Sequence, residues 1–414
     1  MSRRDTRVIA AAAALTALHV LDDASLHREP GTTVADHLIG VGALLAVLAV
    51  SATVFPRLRE GTRATLALLL GALAVTLGGL HLAEVTYGVA SAWDTVSAVI
   101  MLGAGLAAFV VGARALWQSR RGGSRTRRYL RRVLVGIASL IIVFVVVSPA
   151  LFAVGATHKP RRTVEPTDLG RPYETVSLRT SDGLKLAGWY VPSRNGAAVI
   201  AFPGRRGPVP HARMLVRNGY GVLMLDMRGN SESDGDANVF GWGSGRDLDA
   251  ALDFLASRPE VRPGAIGGLG LSVGGEQLLE TASEDSRLTA VVAEGAGHRT
   301  LHEYLQEDGL ATTITAPQAA ILYGAVRLFS PERYPEPLDQ LVSRISPRAI
   351  LLIEAGHGQG GETLNALYFE RAREPKGYWL IPEANHTGGL ETRPTEYERR
   401  VVGFFDRHLL SARS

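Results

Sequence analysis

The first 155 residues contain five long apolar stretches separated by short polar segments, at 8–21, 37–55, 64–83, 92–116 and 133–154. A helix needs about 20 residues to cross the hydrocarbon core of a bilayer, and the last four stretches suit that length. The first is shorter and follows an arginine-rich start, so it fits either a retained span or a signal peptide. No small-residue cleavage site follows it, which favours a retained span. The pattern predicts an all-α domain of about five transmembrane helices over residues 1–155.

Arginines alternate between the segments that join these stretches. They cluster before the first span, between the second and third, and between the fourth and fifth, at Arg3, Arg4, Arg7, Arg57, Arg59, Arg63 and throughout 114–132. The other two loops contain only Arg28. By the positive-inside rule, the arginine-rich loops are cytoplasmic and the chain after residue 155 lies outside. We therefore expect a multi-pass protein of the cell membrane with an extracytoplasmic carboxyl-terminal domain. We interpret the arginines of the loop at 114–132 as a signal for membrane orientation that also contacts anionic lipid, and not as a nucleic-acid-binding site.

The pattern changes after a proline- and arginine-rich linker at 156–173. Short β-rich runs begin at 174 and recur at 174–180, 184–191, 197–202, 221–225, 265–269, 289–293, 349–353 and 377–381. Helical patterns such as 246–256 and 276–282 separate the later runs. Strands that alternate with helices predict an α/β domain over 174–414, with a mostly parallel sheet covered by helices.

The amino-acid composition excludes several kinds of catalytic and metal-binding site. The 414 residues are 46% hydrophobic, carry a formal net charge of +4 and contain no cysteine. Disulfides, thiolate metal sites and a cysteine nucleophile are therefore excluded.

The run at 265–269 leads into Gly270-Leu271-Ser272-Val273-Gly274, and a helical pattern follows. This is G-x-S-x-G between a strand and a helix, the setting in which a serine nucleophile sits on a tight turn between small residues. The alternative, a nucleotide-binding glycine loop, needs a third glycine where Val273 stands. We therefore predict that Ser272 is a nucleophile, that the Val273 N–H is an oxyanion donor, and that no cofactor is needed.

Three further segments match a known family in order. They are the eleven residues from Asp182 to Pro192 (DGLKLAGWYVP), the loop 202–207 (FPGRRG) and the segment from Asp226 to Gly235 (DMRGNSESDG). Together with the serine motif, they make the chain from about 173 onward resemble the α/β-hydrolases, in particular the esterase and peptidase-like branch. The membrane half is outside this resemblance. The resemblance implies that the backbone N–H of Arg205 is the second oxyanion donor, although Pro203 replaces the usual histidine of that loop.

A general base is expected after the last strand, and His386 lies there, followed by Thr387 and two glycines. The acid should precede it along the chain, but the family's usual aspartate position falls on Gly358. The nearby carboxylates are Glu362, in a glycine-rich loop, and Glu354, at the end of a strand. We predict the triad Ser272, His386 and Glu362 and keep Glu354 as the alternative acid. A Ser–His dyad and an inactive domain also stay open.

Residues 296–345 interrupt the sheet pattern with helical sequence that carries aromatic residues. We expect a lid over an apolar acyl pocket there, with ordinary helix packing as the alternative.

Ionisable residues gather near the predicted outer ends of the spans. The candidate metal ligands among them are His19, Asp23, His37, His81 and Glu84. Such groups are costly in a bilayer and are functional candidates for that reason, but the interpretation we favour places them at the water interface without a metal.

These observations predict a membrane-anchored serine hydrolase that cleaves a small or lipid-like carboxylic ester through an acyl-Ser272 intermediate. The alternatives are an inactive binding module with this fold and an acyltransferase or peptidase that uses the same triad.

Overall fold

A computed structural model describes residues 3–26, 28, 30–86, 92–118, 126, 130, 133–134, 137–138, 141–159 and 161–411. It divides into two compact units. The helical unit comprises residues 1–163 and 317–331, and the sheet unit comprises 164–316 and 332–414.

The helical unit begins with four long helices: α1 (Arg3–Ser25), α2 (Val34–Val54), α3 (Glu60–Thr86) and α4 (Ala92–Gln118). Each contains an apolar segment long enough to cross a membrane. The fifth predicted span is not among the helices of that length in the described part of the chain. Its described portion is a π-helical turn (Val143–Val147) and the helix α5 (Ser148–Thr157). Several residues of 133–142 lie outside the described part.

Helices α3 and α4 touch through their backbones at glycines. A Cβ on Gly71 would lie 2.7 Å from the carbonyl oxygen of Gly105, and a Cβ on Gly112 would lie 2.8 Å from that of Ala64. Small residues that let helix backbones approach this closely are typical of packing between membrane helices.

The sheet unit contains eight strands. They are β1 (Glu174–Arg179), β2 (Lys185–Val191), β3 (Ala198–Phe202), β4 (Gly221–Leu225), β5 (Ile266–Leu271), β6 (Leu288–Glu294), β7 (Ala349–His357) and β8 (Lys376–Asn385). Each overlaps one of the eight predicted runs, because β-branched and aliphatic residues in short blocks suit strands covered on both faces.

The strand order is β1-β2-β4-β3-β5-β6-β7-β8. The pairs β1–β2 and β2–β4 are antiparallel, and every pair from β4–β3 to β7–β8 is parallel. The predicted fold class, a mostly parallel α/β sheet preceded by long apolar helices, is confirmed.

Helices cover both faces of the sheet. One face packs against α7 (Gly245–Ala256), α8 (Val273–Glu284) and α12 (Leu364–Arg371), and the other against α6 (Val209–Arg217) and α14 (Pro394–Phe405). Strands β3, β4 and β6 are buried along their whole length. The carboxyl ends of the parallel strands share one edge, where ligands of open α/β sheets bind.

Shorter elements complete the chain. The region 296–345 contains α9 (Leu301–Tyr304), α10 (Leu310–Phe329), α11 (Leu338–Leu341) and a 3-10 turn (Val342–Arg344). A second 3-10 turn (Phe55–Arg57) follows α2, α13 (Gly389–Thr392) follows β8, and a π-helical turn (Asp406–Leu410) follows α14.

We predict that Gly71→Ala destabilises the protein, because the new methyl group meets the α4 backbone, and overpacking of this kind costs about 1–3 kcal/mol. The matched control is Gly79→Ala on the same helix, where an added Cβ meets nothing within 4 Å. Thermal unfolding of the full chain in detergent measures both variants. Equal midpoints for the two variants would contradict the α3–α4 contact.

Candidate active site

Ser272 occupies a strained turn between β5 and α8. Its backbone angles are φ 52° and ψ −126°, a conformation that a residue with a side chain rarely adopts. Its neighbours must be small for strand and helix to come this close. A Cβ on Gly270 would lie 2.5 Å from the carbonyl carbon of Gly274, and a Cβ on Gly274 would lie 2.5 Å from the carbonyl oxygen of Phe202. The G-x-S-x-G spacing is thus a steric requirement of the turn.

The backbone around Ser272 is held on both sides. Its N–H donates to the carbonyl oxygen of Glu294 at 2.8 Å, and its own carbonyl oxygen accepts from the N–H of Gly275 at 2.8 Å. Val273 is the first residue of α8. The first N–H groups of a helix have no partner within the helix, and the helix dipole makes this end attractive to negative charge. The Val273 N–H therefore lies where the sequence analysis expects an oxyanion donor.

His386 and Glu362 form a hydrogen-bonded pair. Nδ1 of His386 lies 2.7 Å from Oε2 of Glu362. The Glu362 side chain is 1% exposed and the imidazole 31% exposed, so the carboxylate is enclosed while part of the ring reaches solvent. The other carboxylate oxygen of Glu362 accepts the Ala355 N–H at 2.7 Å. With Nδ1 turned toward the carboxylate, Nε2 is the nitrogen available to take a proton.

The Glu362 carboxylate fills the space beside position 358. A Cβ built on Gly358 would lie 2.3 Å from Oε2 of Glu362. Position 358 is where the family resemblance expects an aspartate. The Glu362 side chain thus brings a carboxylate to that place from a position four residues later.

Glu354, the alternative acid, is hydrogen-bonded to a residue other than His386. It accepts a hydrogen bond from the hydroxyl of Tyr378 at 2.8 Å. Burial raises the pKa of Glu354, and the nearby charge of Glu362 raises it further. Of the two carboxylates weighed from the sequence, the one hydrogen-bonded to His386 is Glu362.

The hydrogen bond that His386 donates to Glu362 raises the pKa of His386 above its usual value, against the lowering effect of burial. The negative charges of Glu362, Glu276 and Glu294 act in the same direction. This environment stabilises an imidazolium, the form that a general base takes after it has accepted a proton.

The end of β6 links Ser272 to the histidine loop. A Cβ on Gly295 would lie 3.1 Å from Cε1 of His386, so the imidazole rests against this glycine. The buried carboxylate of the preceding Glu294 accepts the N–H of Gly389 at 2.7 Å and the hydroxyl of Tyr397 at 2.6 Å. Glu294 therefore holds Ser272 with its backbone oxygen and the loop after His386 with its side chain.

Glu276 is a buried carboxyl group, and its sequence position indicates only the start of a helix. It lies one helical turn after Ser272 and accepts the Gly297 N–H at 3.0 Å. Burial raises the pKa of Glu276 to about 7, while the charge of His386 lowers it. Glu276 lies four residues after the serine, in the first turn of the helix, where carboxylates are common. Its sequence position therefore gives no sign that it is buried.

The predicted second oxyanion donor, Arg205, is engaged within its own loop. Its backbone N–H donates to Oδ1 of Asp226 at 2.7 Å, and its Nε donates to Oδ2 at 2.6 Å. The guanidinium lies 5.2 Å from the centre of the Trp189 ring. An N–H bonded to a buried carboxylate is not directed at a substrate oxygen, so in this conformation the structure differs from the predicted role of Arg205.

The candidate metal ligands whose side chains are described do not gather. Nδ1 of His19 lies 2.5 Å from the hydroxyl of Ser97, and Nε2 of His37 lies 3.2 Å from that of Thr32. No group of three or more histidine and carboxylate side chains able to hold a metal occurs among the described residues. Asp23 is described and belongs to no such group, whereas the side chains of His81 and Glu84 lie outside the described part.

Comparisons with known proteins agree with this fold. Residues 154–344 match the family model of the X-Pro dipeptidyl-peptidases (S15 family). The protein YfhR of Salmonella typhimurium is 28% identical over 309 residues, which cover 70% of this chain and all of YfhR. The α/β-hydrolase domain-containing protein WAV2 of Arabidopsis thaliana is 28% identical over 176 residues, covering 39% of this chain and 54% of WAV2.

Among solved structures, the esterase Pf2001 of Pyrococcus furiosus is similar with a TM-score of 0.49 and 23% identity, over 61% of this chain and 99% of the esterase. The eight-stranded sheet, the strained serine turn after its fifth strand and the S15 match across that turn all point to one family. The chain belongs to the α/β-hydrolase family, and it is a hydrolase.

Proposed function

We propose that the protein is a membrane-anchored serine hydrolase that cleaves a carboxylic ester through an acyl-Ser272 intermediate. The observation that carries the proposal is the backbone of Ser272, with φ 52° and ψ −126° between a strand and a helix. A strained conformation of this kind persists where the surrounding structure holds it in place, and such sites are commonly functional.

In the proposed reaction, Oγ of Ser272 attacks the ester carbonyl while Nε2 of His386 accepts its proton. The resulting imidazolium is stabilised by Glu362 and then protonates the departing alkoxide. Water hydrolyses the acyl-enzyme in a second step, in which His386 again acts as the base. Glu362 keeps Nδ1 in the donor role throughout.

The oxyanion of each tetrahedral intermediate would form at the start of α8, with the Val273 N–H as donor. A second donor from Arg205 requires that Asp226 release the Arg205 N–H. We therefore expect loop 202–207 to change its hydrogen bonding if Arg205 contributes to the oxyanion hole.

A second candidate reaction is cleavage of an amide or peptide bond. The match to the X-Pro dipeptidyl-peptidases favours it, because the matched residues 154–344 include the serine turn. Both reactions pass through the same acyl-enzyme and differ in the leaving group. An inactive domain and an acyltransferase are further outcomes that the experiments below distinguish.

We predict that Ser272→Ala and His386→Ala each lower ester hydrolysis by a factor of about 10³ or more, and that the double variant is scarcely worse, because the two groups act together. Hydrolysis of p-nitrophenyl esters by the full-length protein in detergent measures this. Covalent labelling by a fluorophosphonate should occur in the wild type and be lost in Ser272→Ala.

Labelling of Ser272→Ala would contradict the assignment of the nucleophile, and an unlabelled wild type would favour an inactive binding module. Parallel assays with an X-Pro-p-nitroanilide and with an added alcohol acceptor distinguish peptidase and acyltransferase activity from ester hydrolysis.

The acid is tested by Glu362→Gln, with Glu354→Gln as the matched control. Loss of the Glu362 carboxylate removes the main influence that raises the pKa of His386, and burial then lowers that pKa. The acidic limb of the kcat/KM profile should therefore move to lower pH, while the maximal rate falls by roughly 10²- to 10⁴-fold. Glu354→Gln should leave both unchanged, and the reverse pattern would identify Glu354 as the acid.

Membrane anchoring is supported by four helices that are long and apolar enough to cross a membrane and that expose many large apolar side chains. Val99, Phe109 and Ile39 are examples of large aliphatic or aromatic residues exposed in the helical unit. Exposed apolar faces on several long helices suit lipid and not water. By the positive-inside rule, the arginine distribution supports a hydrolase domain outside the cytoplasm.

The absence of native cysteine allows a direct topology test. A membrane-impermeant maleimide should label Gln340→Cys, in the sheet unit, on intact spheroplasts. It should label Ser124→Cys, in the arginine-rich loop, only after lysis, because the positive-inside rule retains that loop in the cytoplasm. The opposite pattern would reverse the orientation.

A further inference from the structure

Helix α10 exposes an apolar stripe along its whole length. Exposed residues recur there at intervals of three or four positions, which places them on one side of the helix. They are Leu310, Ile314, Pro317, Ile321, Gly324 and Leu328, hereafter the α10 stripe. Ile314 is 61% exposed and Leu310 75% exposed. The single charged residue of this helix is Arg327, near its end.

The opposite side of α10 is packed. Ala319, Tyr323 and Val326 are buried. The hydroxyl of Tyr304 is hydrogen-bonded to that of Thr315. The helix is thus held by one side. Its exposed side is mostly apolar, and the exposed polar residues there are Thr313, whose hydroxyl donates to the carbonyl oxygen of Gly309, and Arg327.

The second half of α10 belongs to the helical unit, which includes residues 317–331. Phe329 packs against a buried cluster formed by Ala74, Leu77, Met101 and Val154. A Cβ on Gly40 would lie 3.2 Å from the Phe329 ring. This part of α10 therefore packs on one side against α3 and α4, which are long enough to cross a membrane, and against the shorter helix α5.

We propose that the α10 stripe contacts the acyl chains of the bilayer. The inference rests on the proposed membrane embedding of the helical unit, because Ile321 and Leu328 then share the lipid environment of Val99 and Phe109. Exposed apolar side chains that are contiguous along a helix are typical of a contact with a membrane or another protein. Although α10 has 20 residues, it is not among the described helices that are both long and apolar enough to cross a membrane. We therefore expect it to lie in the membrane interface by its apolar side.

The test uses single-cysteine variants of the full-length protein, each labelled with a bimane fluorophore. The stripe positions are Ile314→Cys and Ile321→Cys, and Ala311→Cys is the matched control, exposed on the same helix but outside the stripe. The protein is reconstituted in phosphatidylcholine–phosphatidylglycerol vesicles. A phosphatidylcholine with a nitroxide on its acyl chain quenches from the lipid side, and iodide quenches from the water.

We expect the lipid nitroxide to quench fluorescence at the stripe positions as strongly as at Val99→Cys on α4, and more strongly than at Ala311→Cys. Iodide should quench Gln340→Cys and spare the stripe. Quenching of the stripe by iodide would overturn the proposal. Quenching by neither agent would also overturn it, and would identify a protein surface, such as a second copy of this chain, as the occupant.

The Val99→Cys variant separates this inference from its premise. If Val99→Cys is not quenched by the lipid nitroxide, membrane embedding itself fails. If Val99→Cys is quenched and the stripe is not, only the inference about α10 fails. Fluorophosphonate labelling of each variant verifies that the hydrolase domain is folded, independently of where α10 lies.

Discussion

The strained turn at Ser272 is the constraint on which the rest of the site depends. A residue with a side chain is held at φ 52° because strand β5 and helix α8 meet there with almost no space between them. Gly270 and Gly274 permit that approach, and the carbonyl oxygen of Glu294 fixes the serine N–H. Because Glu294 also binds the loop after His386, displacement of β6 would move the serine turn and the histidine loop together.

Much of the fold followed from local patterns. All eight strands were predicted within a few residues, because each is a short apolar block bounded by turn residues, and the serine motif was found because its glycines are sterically required. Strand order was not predictable in this way, since pairing depends on contacts between distant segments. Two glutamates, Glu354 and Glu362, are close enough to the strand end to be candidates for the triad acid. The sequence cannot choose between them, because the hydrogen bond from His386 to Glu362 is visible only in the structure.

Three features of the structure could not be predicted from the sequence. The N–H of Arg205 was assigned to the oxyanion hole by resemblance, but Asp226, distant along the chain, accepts it. Glu276 has the sequence of an ordinary first helical turn, yet it is buried beside the site. The segment 296–345 is expected from its sequence to form a lid, but which side of its helix α10 is exposed could not be predicted from that sequence. In each case, the environment of the residue is set by side chains or backbone from a segment that is distant along the chain.

The contact between Gly358 and the Glu362 carboxylate has a consequence for how such sites diverge. A side chain at 358 and the carboxylate of 362 compete for the same volume, so an acid at one position requires a small residue at the other. We therefore expect the two positions to change together among homologues, because a change at one alone would cause a clash or leave the imidazole without its anion. Homologues should accordingly carry either a small residue at 358 with glutamate at 362 or an acid at 358 with a different residue at 362, and the mixed combinations should be rare.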